Sequence, residues 1–99
     1  MRVQNLISSR GTTVANQFQI DHKNKTYFQS YESLICVIDR NTDKVKLSTL
    51  YDYSRTTMRY LLSFLRSNGY REITDRKALE QAIKEKRFKV VEKDKLGKF

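Results

Sequence analysis

At Tyr51 the apolar pattern of this chain changes period, and that change decides which folds are open to it. Upstream, apolar residues fall in short runs separated by polar turn residues; downstream they recur every three to four positions. Residues 14–20 and 25–30 flank the polar stretch Asp21-His22-Lys23-Asn24, with strand-favouring Phe18, Ile20, Tyr27 and Phe28 on either side. That predicts a β-hairpin. A second run, SLICVI at 33–38, leads through DRNTD into KVKL at 44–47. KVKL alternates, which gives a strand with one wet and one dry face. LICVI is apolar on both faces and predicts a central strand with something packed over it. Residues 14–47 therefore read as a four-stranded antiparallel meander.

From Ser54 the pattern is helical. The Ser54 hydroxyl can accept the free N–H of Thr56 or Thr57, and Met58, Leu61, Leu62 and Leu65 form one apolar stripe. Asn68-Gly69 ends the run, with Gly69 suited to the left-handed position past a helix end. Thr74 or Asp75 caps a second helix reaching about Lys86, striped by Ala78, Leu79, Ala82 and Ile83, and residues 88–92 (FKVVE) read as a closing strand. The expected fold class is α+β, a four-stranded antiparallel β-meander followed by two helices and a short closing strand. Residues 1–13 are expected to be a flexible N-terminal arm, 14–92 a single domain, and 93–99 a mobile basic tail.

Ninety-nine residues hold one core and not two. Eleven aromatic side chains argue against a disordered chain, and the absence of Pro with only three Gly excludes collagen-like and linker sequences. The single cysteine, Cys36, excludes an internal disulfide and a Cys-based zinc site, which points to a reducing, cytoplasmic setting. The longest apolar run, LICVI, is far short of the roughly 20 residues that a bilayer requires, and MRVQNLISSRG lacks the apolar core of a signal peptide. No membrane association is expected.

Charge is the strongest global property. Twenty Lys and Arg against eleven Asp and Glu give +9, which favours polyanionic partners, nucleic acid first. From Tyr53 through Arg71 there are four arginines and no acid. A basic surface kept for solubility alone is the plain alternative.

Catalytic and metal chemistry find little support. His22 lies in a predicted turn where the sequence assures no cluster of Cys, Ser or carboxylates, and Cys36 lies in the most apolar strand, where burial keeps a thiol inert. Asp39-Arg40-Asn41-Thr42-Asp43 opens like a calcium loop. Lys44 then stands where glycine is required and Leu50 where the bidentate glutamate belongs, so the loop fails. No catalytic residue, cofactor or metal is expected, and the chain does not read as an enzyme.

The first helix carries the candidate site. At about 100° per residue, Arg55, Arg59 and Arg66 project within one narrow wedge, beside a row of hydroxyls from Thr56, Ser63 and Ser67. Guanidinium forks next to hydroxyl donors suit a sugar–phosphate backbone or a partner's carboxylates, and the positive helix end at Ser54 adds to them. A solvated polar face is the alternative. Tyr53 can stack on a base or serve as a half-buried staple at the helix entrance. Arg71, Lys84 and Lys89 are candidate auxiliary phosphate contacts, Lys84 alternatively complementing the end of its own helix.

Two resemblances follow from these blocks. Residues 54–70, SRTTMRYLLSFLRSNGY, resemble the recognition helix of winged-helix repressors of the GntR type, which implies that Ser54, Arg55, Thr56, Thr57 and Arg59 approach a major groove. Across the chain, VANQF (14–18), YFQSYESLI (27–35) and YDYSRTTMRY (51–60) are similar to a family of small proteins of phages and mobile elements of bacteria. The second match spans about residues 14–92 and implies an α+β fold and phage provenance, with no established activity. The expected function is a non-catalytic phage-type accessory protein acting on nucleic acid or on a host nucleic-acid-handling or defence complex. An anti-CRISPR inhibitor of a Cas nuclease is its most concrete form. The alternative is a winged-helix-like DNA-binding transcription regulator, and assembly into a homo-oligomer stays open as a structural role.

Overall fold

The computed structural model describes residues 1–96, in the order β1 (Arg2–Ile7), β2 (Thr13–His22), β3 (Lys25–Ser30), β4 (Ser33–Asp39), β5 (Lys44–Ser48), α1 (Arg55–Ser67), α2 (Arg76–Lys84) and β6 (Phe88–Val91), then a 3-10 turn at Lys93–Lys95. The strands form one six-stranded sheet in sequence order. β1 to β5 are antiparallel, and β6 pairs with β5 in parallel. A parallel neighbour needs a long crossover, and α1 with α2 supplies it.

The four-stranded meander expected from the sequence is too small, although the α+β class holds. The sequence predicts an arm over residues 1–13, yet Arg2–Ile7 pairs with β2 from Asp21 back to Thr13, with a register shift between Asn5 and Ile7. An edge strand buries little. Of β1 only Leu6 is buried, so RVQNLI carries no period that marks it as a strand. Of the tail expected over 93–99, Lys93–Lys95 form the 3-10 turn, Leu96 is buried, and residues 97–99 lie outside the described residues.

Alternation explains the layering. Phe28, Cys36 and Leu47 face one another across β3, β4 and β5, and Thr26, Ile38, Val45 and Phe88 form the next row, all on the side covered by the helices. A bulge beside Phe28 and Gln29 turns Ile35 to that side as well, while Leu34 packs on the other. This is how LICVI is apolar on both faces. The α1 stripe buries Leu61, Phe64 and Leu65 completely, each contributing roughly 1.5–3 kcal/mol by leaving water. The Phe28 and Phe64 rings stack at 5.5 Å, joining sheet to helix. On the far face a smaller cluster of Ile20, Tyr27, Val37 and Leu96 is flanked by Phe18, Leu34 and Val91.

Both ends of α1 are tied down. Ser54 caps the start by accepting the Thr57 N–H at 3.0 Å. Thr57 is fully buried, and its hydroxyl lies 3.0 Å from that of Ser54 and 3.1 Å from that of Ser30 at the end of β3. At the other end Asn68 donates to the Phe64 carbonyl and to Gln19 of β2, and accepts from Arg40 at 2.7 Å. Gly69 then takes φ 104°, a conformation that residues with a Cβ adopt at a cost. Asp75 caps α2 by accepting the Ala78 N–H at 2.8 Å.

Candidate functional site

Helical periodicity sets Arg55, Arg59 and Arg66 on one side of α1, and the fold places a groove there. Its cavity of about 570 Å³ is lined by these three arginines, with Tyr53 and Ser54 at the entrance to the helix, Met58 and Leu62 on its apolar wall, and Asp52, Thr74 and Arg76 across from them. Among the described residues none of the three α1 arginines pairs with a carboxylate. Arg59 lies over the Tyr60 ring at 5.6 Å from its centroid, and Arg66 reaches the Thr74 carbonyl at 3.5 Å. Arg76 differs: Asp52 at 3.0 Å and Glu80 at 3.5 Å already hold its guanidinium. No acid stands in the first turn of α1, so the positive end of the helix adds to the field of the arginines.

The remaining residues singled out in the sequence are spread more widely. Ser63 is half-buried in a separate small cleft between α1 and the β1–β2 connection, with Ser8 and Ser9 opposite and Arg59 and Arg66 on its border. Thr56 is exposed on α1 outside the groove, while Thr57 is the threonine that meets the cap. Arg71 is exposed in the α1–α2 connection, Lys84 ends α2, and Lys89 lies on β6. Lys89 is turned away from the helices, since its neighbours Phe88 and Val90 pack beneath them.

Arg76, Thr74 and the Met58–Leu62 wall escape a reading by local pattern. The wall is visible only as part of the apolar stripe, and Arg76 enters the groove because the α1–α2 connection brings the start of α2 back towards Asp52.

The groups considered for catalysis are otherwise engaged. Cys36 is fully buried, which pushes its thiol far above the usual range. Asp39 accepts the Asn41 N–H, and Asp43 accepts the Tyr70 hydroxyl at 2.9 Å, so the loop that opens like a calcium site uses its carboxylates on the protein itself. Burial, then the hydrogen bond to Asp43, pushes the Tyr70 phenol up to about 12. His22, at the end of β2, borders a cavity of about 330 Å³ with Lys25, Asp39 and Asn41. Among the described residues no group of three or more His, Cys, Asp or Glu could hold a metal ion. No described helix is long and apolar enough to cross a membrane.

Sheet, crossover and groove together define a small α+β protein in which an arginine-lined helix edge stands over a mixed sheet. The chain belongs to a family of unknown function, DUF8033, which matches residues 1–81 and so takes in β1 to β5, α1 and most of α2, with the whole groove. No curated protein and no solved structure matches the chain.

Proposed function

We propose that this protein is a non-catalytic binding module that docks on the sugar–phosphate backbone of a nucleic acid, free or within a host nucleic-acid-handling complex, through the α1 groove. One observation carries the reading: three guanidinium groups with no carboxylate partner among the described residues border one groove. An arginine edge kept for solubility has no reason to gather around a cavity, whereas phosphate oxygens satisfy several forks at once. The apolar wall of Met58 and Leu62 and the exposed Tyr53 at the rim leave room for a base or sugar beside the phosphates. Base-specific readout of the winged-helix kind is not favoured. In that fold two helices precede the recognition helix, and here α1 follows five strands. The phage resemblance makes a host defence complex, such as a Cas nuclease with its guide, the first assembled partner to try.

The test is a salt titration of labelled duplex and single-stranded probes. Three phosphate contacts in the groove contribute about −3 to the slope of log affinity against log salt on duplex. Arg55→Ala with Arg59→Ala is expected to reduce that slope by about 2 and to leave the thermal midpoint nearly unchanged, because both side chains are exposed and, among the described residues, neither pairs with a carboxylate. Equal losses of midpoint and binding would make these arginines structural. Tight binding with an unaltered slope in the variant would remove the groove from the interface.

A further inference from the structure

The face of the sheet away from the helices carries a second basic surface. Val45 and Leu47 of β5, Thr26 of β3 and Phe88 of β6 share the helix side, so strand alternation sends Lys25, Lys44, Lys46 and Lys89 to the other. The register sets them side by side. Asp39 stands between Lys25 and Lys44, and in the next row Lys46 stands between Val37 and Lys89. Neighbouring strands are ~5 Å apart, a separation at which like charges repel. Lys95 arrives from the 3-10 turn, and Lys25, Lys44, Lys46 and Lys95 surround a cavity of about 270 Å³ with Thr42 and Asp39. Among the described residues no lysine of this face forms an ion pair.

Edge protection does not account for this arrangement. A lysine on β6 guards an exposed edge against strand pairing, but β3 and β5 are interior strands with both edges already paired. Lys46 stands opposite Lys89 with no structural return, Lys25 and Lys44 share the one carboxylate of Asp39, and an anion laid across the rows turns the net repulsion into attraction. The nearest aromatic, Tyr27, is only 2% exposed and cannot stack on a base, so the contact is with backbone phosphates and is indifferent to sequence.

We infer that this helix-free face is a second phosphate-binding surface, which takes a nucleic-acid backbone independently of the arginine groove, so that one molecule holds two nucleic-acid segments on opposite faces of its sheet. The holding of two segments rests on the proposed function of the groove; the lysine surface does not.

The experiment anchors one short mixed-sequence duplex on beads and measures capture of a second, fluorescent duplex by the full chain, alongside salt titrations of each duplex alone. The wild type is expected to capture the second duplex. Lys44→Gln/Lys46→Gln/Lys89→Gln is expected to keep one duplex, with a slope lower by about 2–3, and to lose capture. Arg2→Gln/Arg10→Gln/Lys77→Gln removes equal charge away from this face, since the register sets Arg2 in the row of Asp21 and Thr26 on the helix side, and is expected to keep it. Capture by the lysine variant at the wild-type level overturns the inference, as does equal loss in the charge-matched control. So does a wild type that binds one duplex tightly and never a second. Arg55→Ala/Arg59→Ala/Arg66→Ala separates the two surfaces. If that variant binds no duplex, the lysine face is overturned and the groove stands; if it binds as the wild type does while the lysine variant binds nothing, the groove reading fails and the lysine face stands. Binding of phosphatidylglycerol vesicles without binding of duplex overturns the nucleic-acid assignment of this face.

Discussion

Replacing Thr57 by valine tests how the candidate groove is anchored to the sheet. The two side chains share a branched Cβ and nearly the same volume, so the perturbation is confined to the hydroxyl. In the wild type that hydroxyl is fully buried between those of Ser54, at 3.0 Å, and Ser30, at 3.1 Å. Ser54 keeps its bond to the Thr57 N–H in the variant, but the buried Ser30 hydroxyl loses the partner it has on α1. Leaving one buried hydroxyl unsatisfied costs ~1–3 kcal/mol, and the lost bonds lie within that range, so about 2 kcal/mol is expected. For a chain of this length that lowers the thermal midpoint by on the order of 10 °C. The measurement is urea unfolding of four proteins: wild type, Thr57→Val, Ser30→Ala and the double variant. If the contact is real, the double variant is less destabilised than the sum of the singles by about 1 kcal/mol, with the m-value unchanged. A Thr57→Val midpoint equal to that of the wild type, or strict additivity in the cycle, would refute the anchor.

Two further outcomes are expected from a half-buried phenol and a buried amide. The Tyr70 phenol is raised from 10.0 to about 12 by burial and by its hydrogen bond to Asp43. A raised value means that the folded state holds the proton longer than the unfolded one, so Tyr70 supports folding fully below about pH 10 and that support is lost as pH rises through about 12. Urea midpoints across this window should fall less steeply for Tyr70→Phe than for the wild type, and parallel curves would contradict it. Gln17 is 1% exposed, and its amide nitrogen and oxygen have no hydrogen-bond partner among the described residues. Gln17→Met keeps the length and removes both polar atoms, so a gain of ~1 kcal/mol in urea unfolding is expected, and a loss of that size would show the amide to be bonded in solution.

What the sequence reveals follows the range of the forces involved. The start, stripe and end of α1 are legible because cap, period and left-handed stop act within a turn or two of chain, and the alignment of Arg55, Arg59 and Arg66 follows from the helical repeat alone. β1 is not legible. Its strand identity comes from pairing with β2, and its single buried side chain, Leu6, leaves no alternation to detect. The lysine face is half legible: KVKL shows one wet face on β5, but only the register reveals that Lys25 and Lys89 share it. Arg76 enters the groove through a tertiary return of the chain, for which no local pattern exists. Lys86 is illegible for a different reason. It takes φ 62° just past α2, where glycine is the usual occupant, so the end of that helix carries no glycine signal.

The distribution of charge and of apolar side chains makes one physical argument. A net charge of +9 on a small domain opposes compaction by self-repulsion, and the core must outweigh it. The chain does not relieve the repulsion by pairing: among the described residues, ion pairs involve only Arg76 and Arg87, all between exposed partners that contribute little. Among the described residues Arg55, Arg59 and Arg66 of the groove and the lysines of the sheet form no ion pair, each group massed on its own side of the sheet. Part of the free energy of folding is thereby held as repulsion that a polyanion releases on binding, so ligand and fold support each other. A polyanion at a hundredfold excess over its dissociation constant stabilises the folded state by about 2.7 kcal/mol through mass action alone. Charge that served solubility alone would have no need to be massed this way; interspersed with acids over the same surface it would keep the chain in solution at a smaller cost to the fold.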